Sequence, residues 1–173
     1  RPFWPKRMQD DILQKEYDNA LRYYSKAMIS RPYDTEIFIG MGKAYYFLKN
    51  YDAAMELFSE ITSRPKNNVE FYRMMGLTYS RLKKHDAAID ILKEGLKIKE
   101  RDADLQFTLG WVLRNNSQFK ESIGTYLKAI RYDRTKAING YLAIANIYYF
   151  KLNSKTNAKR YYTKYVKAGG TDS

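Results

Sequence analysis

The sequence predicts an all-α fold built as a solenoid of antiparallel helix pairs, and three observations carry this prediction. First, residues of similar type recur every 34 positions along most of the chain. Second, each 34-residue unit contains two stretches whose apolar residues follow helical spacing. Third, a short polar break separates the two stretches. A unit of this size cannot bury its apolar face alone, so neighbouring units are expected to stack.

The 34-residue period is visible in five columns of residues, two of which hold mainly small side chains. A glycine inside a helix costs about 1 kcal/mol relative to alanine, so a column of glycines indicates a packing requirement. We expect close approach of the two helices there, with large residues filling the adjacent space. The columns are Gly42, Gly76 and Gly110; Ala20, Ala54, Ala88 and Ser122; Tyr17, Tyr51, His85 and Phe119; Tyr24, Phe58, Leu92 and Tyr126; and Ala27, Ile61, Gly95 and Ala129.

The third unit shows the helix pair most clearly. Its first stretch, "VEFYRMMGLTYSRL", and its second, "AAIDILKEGLKI", are both apolar at helical intervals, with "KKHD" between them. In the first two units, Pro32 and Pro65 follow the second stretch, where a proline ends a helix.

Three segments resemble the tetratricopeptide repeat (TPR), whose pattern runs from an aromatic through Leu-Gly and Tyr to a second helix with Ala and aromatic positions. They are "FIGMGKAYYFLKNYDAAMELFSEI" (38–61), "YRMMGLTYSRLKKHDAAIDILKEG" (72–95) and "QFTLGWVLRNNSQFKESIGTYLKA" (106–129). The resemblance implies a right-handed superhelical solenoid of about ten helices. It covers five units and leaves a short tail: 1–34, 35–68, 69–102, 103–136 and 137–170, then 171–173.

The terminal units depart from the family pattern. The first has Trp4 in place but carries Met8 and Asp11 where Gly and Tyr are expected, so its first helix is atypical. The fifth carries one or two extra residues before Ala158. Its last helix is aromatic for a capping helix, with Tyr161 and two further tyrosines, so we expect either that the native chain continues or that this end self-associates.

The composition argues against several classes of protein. The chain has 173 residues, no cysteine and one histidine, His85, which excludes disulfides and thiolate metal sites and leaves His85 without a catalytic or ligating partner. No apolar run approaches the ~20 residues of a membrane helix. We therefore predict no enzyme activity, cofactor or metal. The compartment stays open between cytoplasm and bacterial periplasm, and a first residue other than Met suggests an excised or processed chain.

The resemblance implies that the first helix of each pair lines a concave groove, in which another protein, as a peptide or helix, would bind. Aromatic residues and arginine dominate the implied lining, and these types are frequent binding hot spots. We expect acidic groups of a partner to meet the arginines. The predicted groove residues are Ile39, Lys43, Tyr46, Phe47, Arg73, Leu77, Arg81, Phe107, Trp111, Arg114, Asn146, Tyr149 and Phe150.

The role of Trp111 stays open at this point. Gly110 belongs to the glycine column, whereas the positions equivalent to Trp111 hold Lys43 and Leu77. The fold therefore does not demand an indole there, and Trp111 is either an anchor for a partner or a local packing residue.

The family also implies what the groove does not bind. TPR domains that grip the C-terminal carboxylates of Hsp70 or Hsp90 use a Lys/Asn, Asn and Lys/Arg set on three successive first helices. One window of matching positions reads Ile39, Lys43, Met74, Asp104 and Thr108, and the next Arg73, Leu77, Thr108, Asn139 and Ala143. Neither supplies the set, so binding of chaperone tails is not expected. The family commonly serves in multi-protein assemblies, including bacterial envelope, secretion and motility machines.

Two alternatives come from the uneven charge and the atypical end. The net charge is +12, and residues 137–173 contain six basic residues and one acidic residue. Basic and aromatic side chains together can hold single-stranded nucleic acid, so RNA or an anionic surface could bind here. The other alternative is an array that associates with itself through its end units. The basic patch consists of Lys151, Lys155, Lys159, Arg160, Lys164 and Lys167.

Overall fold

The computed structural model describes residues 6–61 and 67–171, with side chains from residue 13 onward, and these ranges are all helical apart from short connections. The described part contains nine α-helices and one short 3₁₀ helix. They are α1 (Lys6–Ser30), α2 (Thr35–Phe47), α3 (Tyr51–Ile61), α4 (Val69–Arg81), α5 (His85–Ile98), α6 (Ala103–Asn115), α7 (Phe119–Tyr132), the 3₁₀ helix Arg134–Lys136, α8 (Ala137–Phe150) and α9 (Lys155–Lys167).

The helices form a stack of pairs, as the repeat predicts. The most extensive contacts join α2 with α3, α4 with α5, α6 with α7, and α8 with α9. The first helices of neighbouring pairs also contact each other, α2 with α4 and α4 with α6, while each second helix packs against the first helix of the next pair. Close approach on the side of the first helices gives the stack a concave face lined by α2, α4 and α6.

The start of each first helix is set by a further column at the same period. The carboxylate or amide oxygen of Asp34, Asn68 and Asp102 accepts a hydrogen bond from a backbone N–H in the first turn of α2, α4 and α6. Such caps satisfy helix N–H groups that have no intrahelical partner. The columns noted above did not include these residues, although their 34-residue spacing was visible.

Each glycine of the 34-residue column leaves room for a large side chain of the paired second helix. A Cβ on each glycine would overlap a large side chain of the second helix in the same pair, so the pair can close only because this position lacks a side chain. The separations from the added Cβ would be 2.4 Å for Gly42 and Phe58, 2.5 Å for Gly76 and Leu92, and 3.0 Å for Gly110 and Tyr126. The alanine column, with the fully buried Ala54 and Ala88, packs beside this contact.

The first unit differs from the expected pair, because α1 runs unbroken through 25 residues. The described ranges hold nine α-helices, in keeping with the expected number of about ten, and the first unit contributes one long helix. Neither glycine nor proline occurs between residues 6 and 30. In the next unit, Lys49 takes a positive φ of 62° and the Asn50 side chain accepts from the Ala53 N–H. Glu16 stands where Asn50 would be, and a helix passes through. Trp4 and Pro65 lie outside the described residues, as do the side chains of Met8 and Asp11.

The fifth unit is longer than the others at two places. The turn residues of the middle units, Lys83 and Ser117, have positive φ and are 34 residues apart, but Asn153 follows Ser117 by 36. The 3₁₀ helix precedes α8, and the fully buried Ala145 lies 35 residues after Gly110. One extra residue thus lies before the small-residue position and one in the turn after α8.

Two hydrophobic clusters hold the stack together. One joins units two to four, and the other joins units four and five. Trp111 packs against both clusters and so bridges them. Among the described residues, none of the helices combines the length and apolar character that crossing a membrane requires.

We expect Gly76→Ala to lower the free energy of unfolding, because its Cβ would lie 2.5 Å from Cγ of the fully buried Leu92. Overpacking of about 1–3 kcal/mol outweighs the helix propensity of about 1 kcal/mol that alanine gains. Gly124 in α7 is the matched control, since a Cβ there meets nothing within 4 Å. Gly124→Ala should raise stability by about 0.5–1 kcal/mol. Urea denaturation followed by circular dichroism measures both, and equal gains would contradict the packing role.

Candidate functional site

Three side chains from three successive units form a continuous ladder on the concave face. Arg81, at the end of α4, donates from Nε to the Tyr46 hydroxyl at 3.1 Å. Its guanidinium carbon lies 5.1 Å from the centre of the Trp111 ring, on α6, and 6.0 Å from that of Tyr46. A cation over an aromatic face is attracted to the ring quadrupole. Arg81 therefore connects the Tyr46 and Trp111 rings across three helix pairs. Tyr46 itself is 8% exposed and belongs to the core, so its assignment to the groove surface is corrected.

A cationic pocket of about 580 Å³ opens beside the ladder. Four cations line it, Arg81, Lys83, Arg114 and Lys151, together with the Trp111 ring, and no carboxylate does. Within the described ranges, no ion pair is recorded for any of the four cations. The pocket is therefore positively charged and open to an anionic group.

Ser80 and His85 supply polar atoms at the floor of the cationic pocket. The Ser80 hydroxyl lies 3.1 Å from Nδ1 of His85, and Asn115 and Ser117 lie nearby on the pocket wall. His85 is thus held by a neighbour in its own unit. No group of three or more His, Cys, Asp or Glu side chains in the described part of the chain could hold a metal ion.

Two other predicted groove cations are neutralised inside the protein. Lys43 and Arg73 both pair with the Glu70 carboxylate, with N–O distances of 2.9 and 2.7 Å. Partial burial alone would raise the pKa of Glu70, but the hydrogen bonds from Arg73 and Lys43 outweigh it and leave the pKa below 4.5. These two cations are therefore not available to a partner in the way that Arg81 and Arg114 are.

Several predicted groove residues pack inside the fold. Ile39 is 3% exposed and lies in the core, so its assignment to the groove surface is corrected: this side of α2 faces the rest of the stack. Leu77 and Phe107 are partly buried against the two clusters. Phe47 is 47% exposed and stacks on Tyr17 of α1, with ring centroids 5.0 Å apart.

The predicted residues of α8 lie apart from the ladder. Asn146 accepts a hydrogen bond of 2.6 Å from the Tyr162 hydroxyl, which ties α8 to α9. Tyr149 and Phe150, 48% and 69% exposed, form an edge-to-face pair at the end of α8. Tyr149 faces a recess against α9 rather than the cationic pocket.

The six residues predicted as one basic patch occupy four different places. Lys151 lines the cationic pocket. On α9, Lys164 lies over the Tyr141 and Tyr161 rings, 5.6 and 5.1 Å from their centres, and Arg160 is exposed outside both the pocket and the recess. The remaining cations line the recess beside Tyr149, and these are Lys155, Lys159 and Lys167. The structure therefore offers no single basic surface at the C-terminal end.

One cation of the cationic pocket was missed by the sequence analysis. Lys83 lies in the turn between α4 and α5 with a φ of 64°. The groove positions implied by the family all lie on first helices, so a turn residue was not considered. The recurrence of turn lysines at Lys49 and Lys83 was the signal that could have found it.

Comparison with known families identifies the class. Two family models described as tetratricopeptide repeat match residues 11–77 and 69–102, which together span more than half of the chain. The chain belongs to the tetratricopeptide repeat family. No curated protein matches the sequence.

Solved structures share the fold over most of the chain. A structure of MamA from Desulfovibrio magneticus is 21% identical, covers 94% of both chains and has a TM-score of 0.77. A TPR protein from Thermus thermophilus, TTC0263, is 18% identical over 88% of this chain and 82% of its own, with a TM-score of 0.74. YrrB, described as a TPR protein with an unusual peptide-binding site, is 20% identical over 92% and 82%, with a TM-score of 0.70. At these identities the likeness shows the fold alone.

We expect Glu70→Gln to lower the free energy of unfolding at pH 7 by about 1 kcal/mol, because Lys43 and Arg73 share the Glu70 carboxylate as their ion-pair partner on a partly exposed surface. The pKa of Glu70 is lowered from 4.5, so its carboxylate stabilises the fold above pH 4.5, and this contribution is lost as the pH falls through the lowered value. The difference between the two proteins in urea denaturation should therefore shrink at acidic pH. Glu94→Gln, on the exposed side of α5, is the control. A loss of equal size at pH 3 and pH 7 would contradict the ion-pair explanation.

Proposed function

We propose that this TPR domain is a non-enzymatic scaffold that holds an acidic segment of a partner protein on its concave face. The segment lies along Arg81 and Trp111 of the ladder, and its carboxylates enter the cationic pocket. The observation that carries this proposal is the pocket itself: four cations from three units converge on a space that no carboxylate lines.

The ladder supports the contact with the apolar part of such a segment. Trp111 is partly buried and packs on both hydrophobic clusters, so its position is fixed before a partner arrives. A rigid aromatic loses little conformational freedom on binding, and aromatic residues with arginine dominate binding hot spots. Trp111 accordingly serves both as a packing residue and as part of the contact surface.

The distribution of charge supports an acidic partner at one end of the groove only. Lys43 and Arg73 are compensated by Glu70, whereas Arg81 and Arg114 have no recorded ion pair within the described ranges. Guanidinium groups bind carboxylates in a bidentate manner, which gives direction as well as affinity. The acidic residues of the segment are therefore placed beside α6 rather than beside α2.

The comparisons support the class of function. TPR proteins are scaffolds in general, and one of the structural neighbours, YrrB, is described as having a peptide-binding site. A role for this chain in a multi-protein assembly, including a bacterial envelope, secretion or motility machine, follows from the family and belongs to the same proposal. RNA binding is less well supported, because the basic residues of the C-terminal unit are dispersed over four places.

We expect the domain to bind 12-residue peptides that carry two fixed glutamates more tightly than matched peptides with glutamines at those positions. Arg114→Ala should weaken retention at least tenfold, because removing a charge-assisted hydrogen bond costs about 1.5–3 kcal/mol. Fluorescence anisotropy of labelled peptides measures the affinity. Peptide binding should also change tryptophan emission, and Trp111→Phe should remove most of that change.

Arg131→Ala is the matched control, since Arg131 is exposed on α7 and does not line the pocket. It removes the same charge but should leave peptide affinity within about twofold. Equal weakening by both substitutions would show that net charge, and not the pocket, attracts the peptide. Trp111→Ala is expected to lower the melting temperature as well, so it is not used to judge binding alone.

A further inference from the structure

A second candidate binding surface is a recess at the C-terminal end of the stack, between α8 and α9. We propose that this end recess binds an acidic amphipathic helix of a partner protein. The recess has a volume of about 530 Å³ and is lined by Tyr149 of α8 and by Tyr162, Val166 and three lysines of α9. It is separate from the concave groove, so this inference goes beyond the peptide scaffold proposed above.

The fold itself shows what covers the equivalent surface one unit earlier. There, α8 packs on α7, and Ile130 is only 3% exposed. A Cβ on Gly140 of α8 would lie 2.7 Å from Cδ1 of Ile130, so the covering helix reaches α7 through a residue that has no side chain. A surface of this kind therefore accommodates a helix that has a small residue at the centre of its apolar face.

The corresponding residues of α9 are uncovered. Val166 follows Ile130 by the 36 residues that separate the turns of these two units, and it is 42% exposed. Tyr162 occupies the place of the buried Tyr126 and is partly exposed. Together with Tyr149 they form the apolar part of the recess. An exposed apolar patch rimmed by polar residues is typical of an interaction site.

The charge around the floor selects the partner. Lys155, Lys159 and Lys167 line the recess, and the sequence has no acidic residue from 134 to 171. No ion pair is recorded for these lysines among the described residues. An acidic helix would neutralise them, whereas a second copy of this chain, with a net charge of +12, would add repulsion.

The test uses a labelled helical peptide that repeats the α8 sequence, residues 137–150. Glutamate replaces its four exposed residues Ile138, Asn139, Tyr149 and Phe150, and a matched peptide carries lysine at the same places. Because α8 runs antiparallel to α7 after a short connection, the same orientation on α9 puts the two pairs of glutamates near Lys167 and near Lys155 and Lys159. The glutamate peptide should bind at least tenfold more tightly than the lysine peptide in fluorescence anisotropy.

Two charge reversals at adjacent residues separate the recess from general electrostatics. Lys159→Glu changes a residue that lines the recess, whereas Arg160→Glu makes the same charge change outside it. Lys159→Glu should weaken binding of the glutamate peptide at least tenfold, and Arg160→Glu should weaken it by less than about threefold. The circular dichroism of both variants should match that of the wild-type domain. Val166→Asp, at an exposed position, should abolish binding without loss of helicity. The ladder variant Arg114→Ala should leave this peptide unaffected, so the two proposed sites fail independently.

Four outcomes would overturn the proposal. They are equal weakening by the two charge reversals, absence of binding to the wild-type domain, and displacement of the peptide by vesicles of phosphatidylserine or by single-stranded RNA. The fourth is a mass in light scattering that rises with protein concentration and that Val166→Asp abolishes, because a second copy would then occupy the recess.

Discussion

The whole stack depends on one contact, repeated in each of three units: a large side chain of the second helix lies where a glycine of the first helix leaves room. At Gly42, Gly76 and Gly110, a Cβ would come within 2.4–3.0 Å of that side chain. This contact sets the distance between the two helices of a pair. The turn residue with positive φ and the capping residue then determine where each helix begins and ends, so the same geometry recurs every 34 residues.

The contact also explains why the concave face can carry chemistry. Because the glycine side of each first helix is committed to its partner helix, the next position points elsewhere and is free to vary, as Lys43, Leu77 and Trp111 do. One unit uses this freedom for an ion pair to Glu70, and another for an indole beneath Arg81. Lys43 and Trp111 thus contribute to the concave face from a position that the glycine contact does not constrain.

The two proposed surfaces differ in how the fold treats them. The cationic pocket is formed by residues of four units and exists only because the units stack. The end recess lies on the face of α9 that corresponds to the face of α7 on which α8 packs. Both are rimmed by cations without recorded carboxylate partners in the described ranges, and both favour acidic partners. A scaffold with two such surfaces would hold a peptide along its groove and a helix at its end.

The sequence by itself determined the class of fold, because a period of 34 residues and helical spacing are properties of order along the chain. It also separated Gly110 from Trp111, since a column at one period distinguishes a residue that successive units repeat from one that a single unit carries. The sequence did not reveal that α1 is continuous. A helix pair and one long helix share the same helical spacing and differ only in the turn between the two halves, and the first unit lacks the residues that mark this turn.

Only the tertiary structure decided which cations are free. The sequence does not distinguish the four groove cations Lys43, Arg73, Arg81 and Arg114. In the structure, Glu70 pairs with Arg73, one turn away on the same helix, and with Lys43 of the preceding unit. Ile39 falls into the core and Lys83 enters the pocket from a turn, which no helical register predicts. Repeats specify positions within a unit, whereas burial and charge compensation arise between units, where side chains distant in the sequence meet.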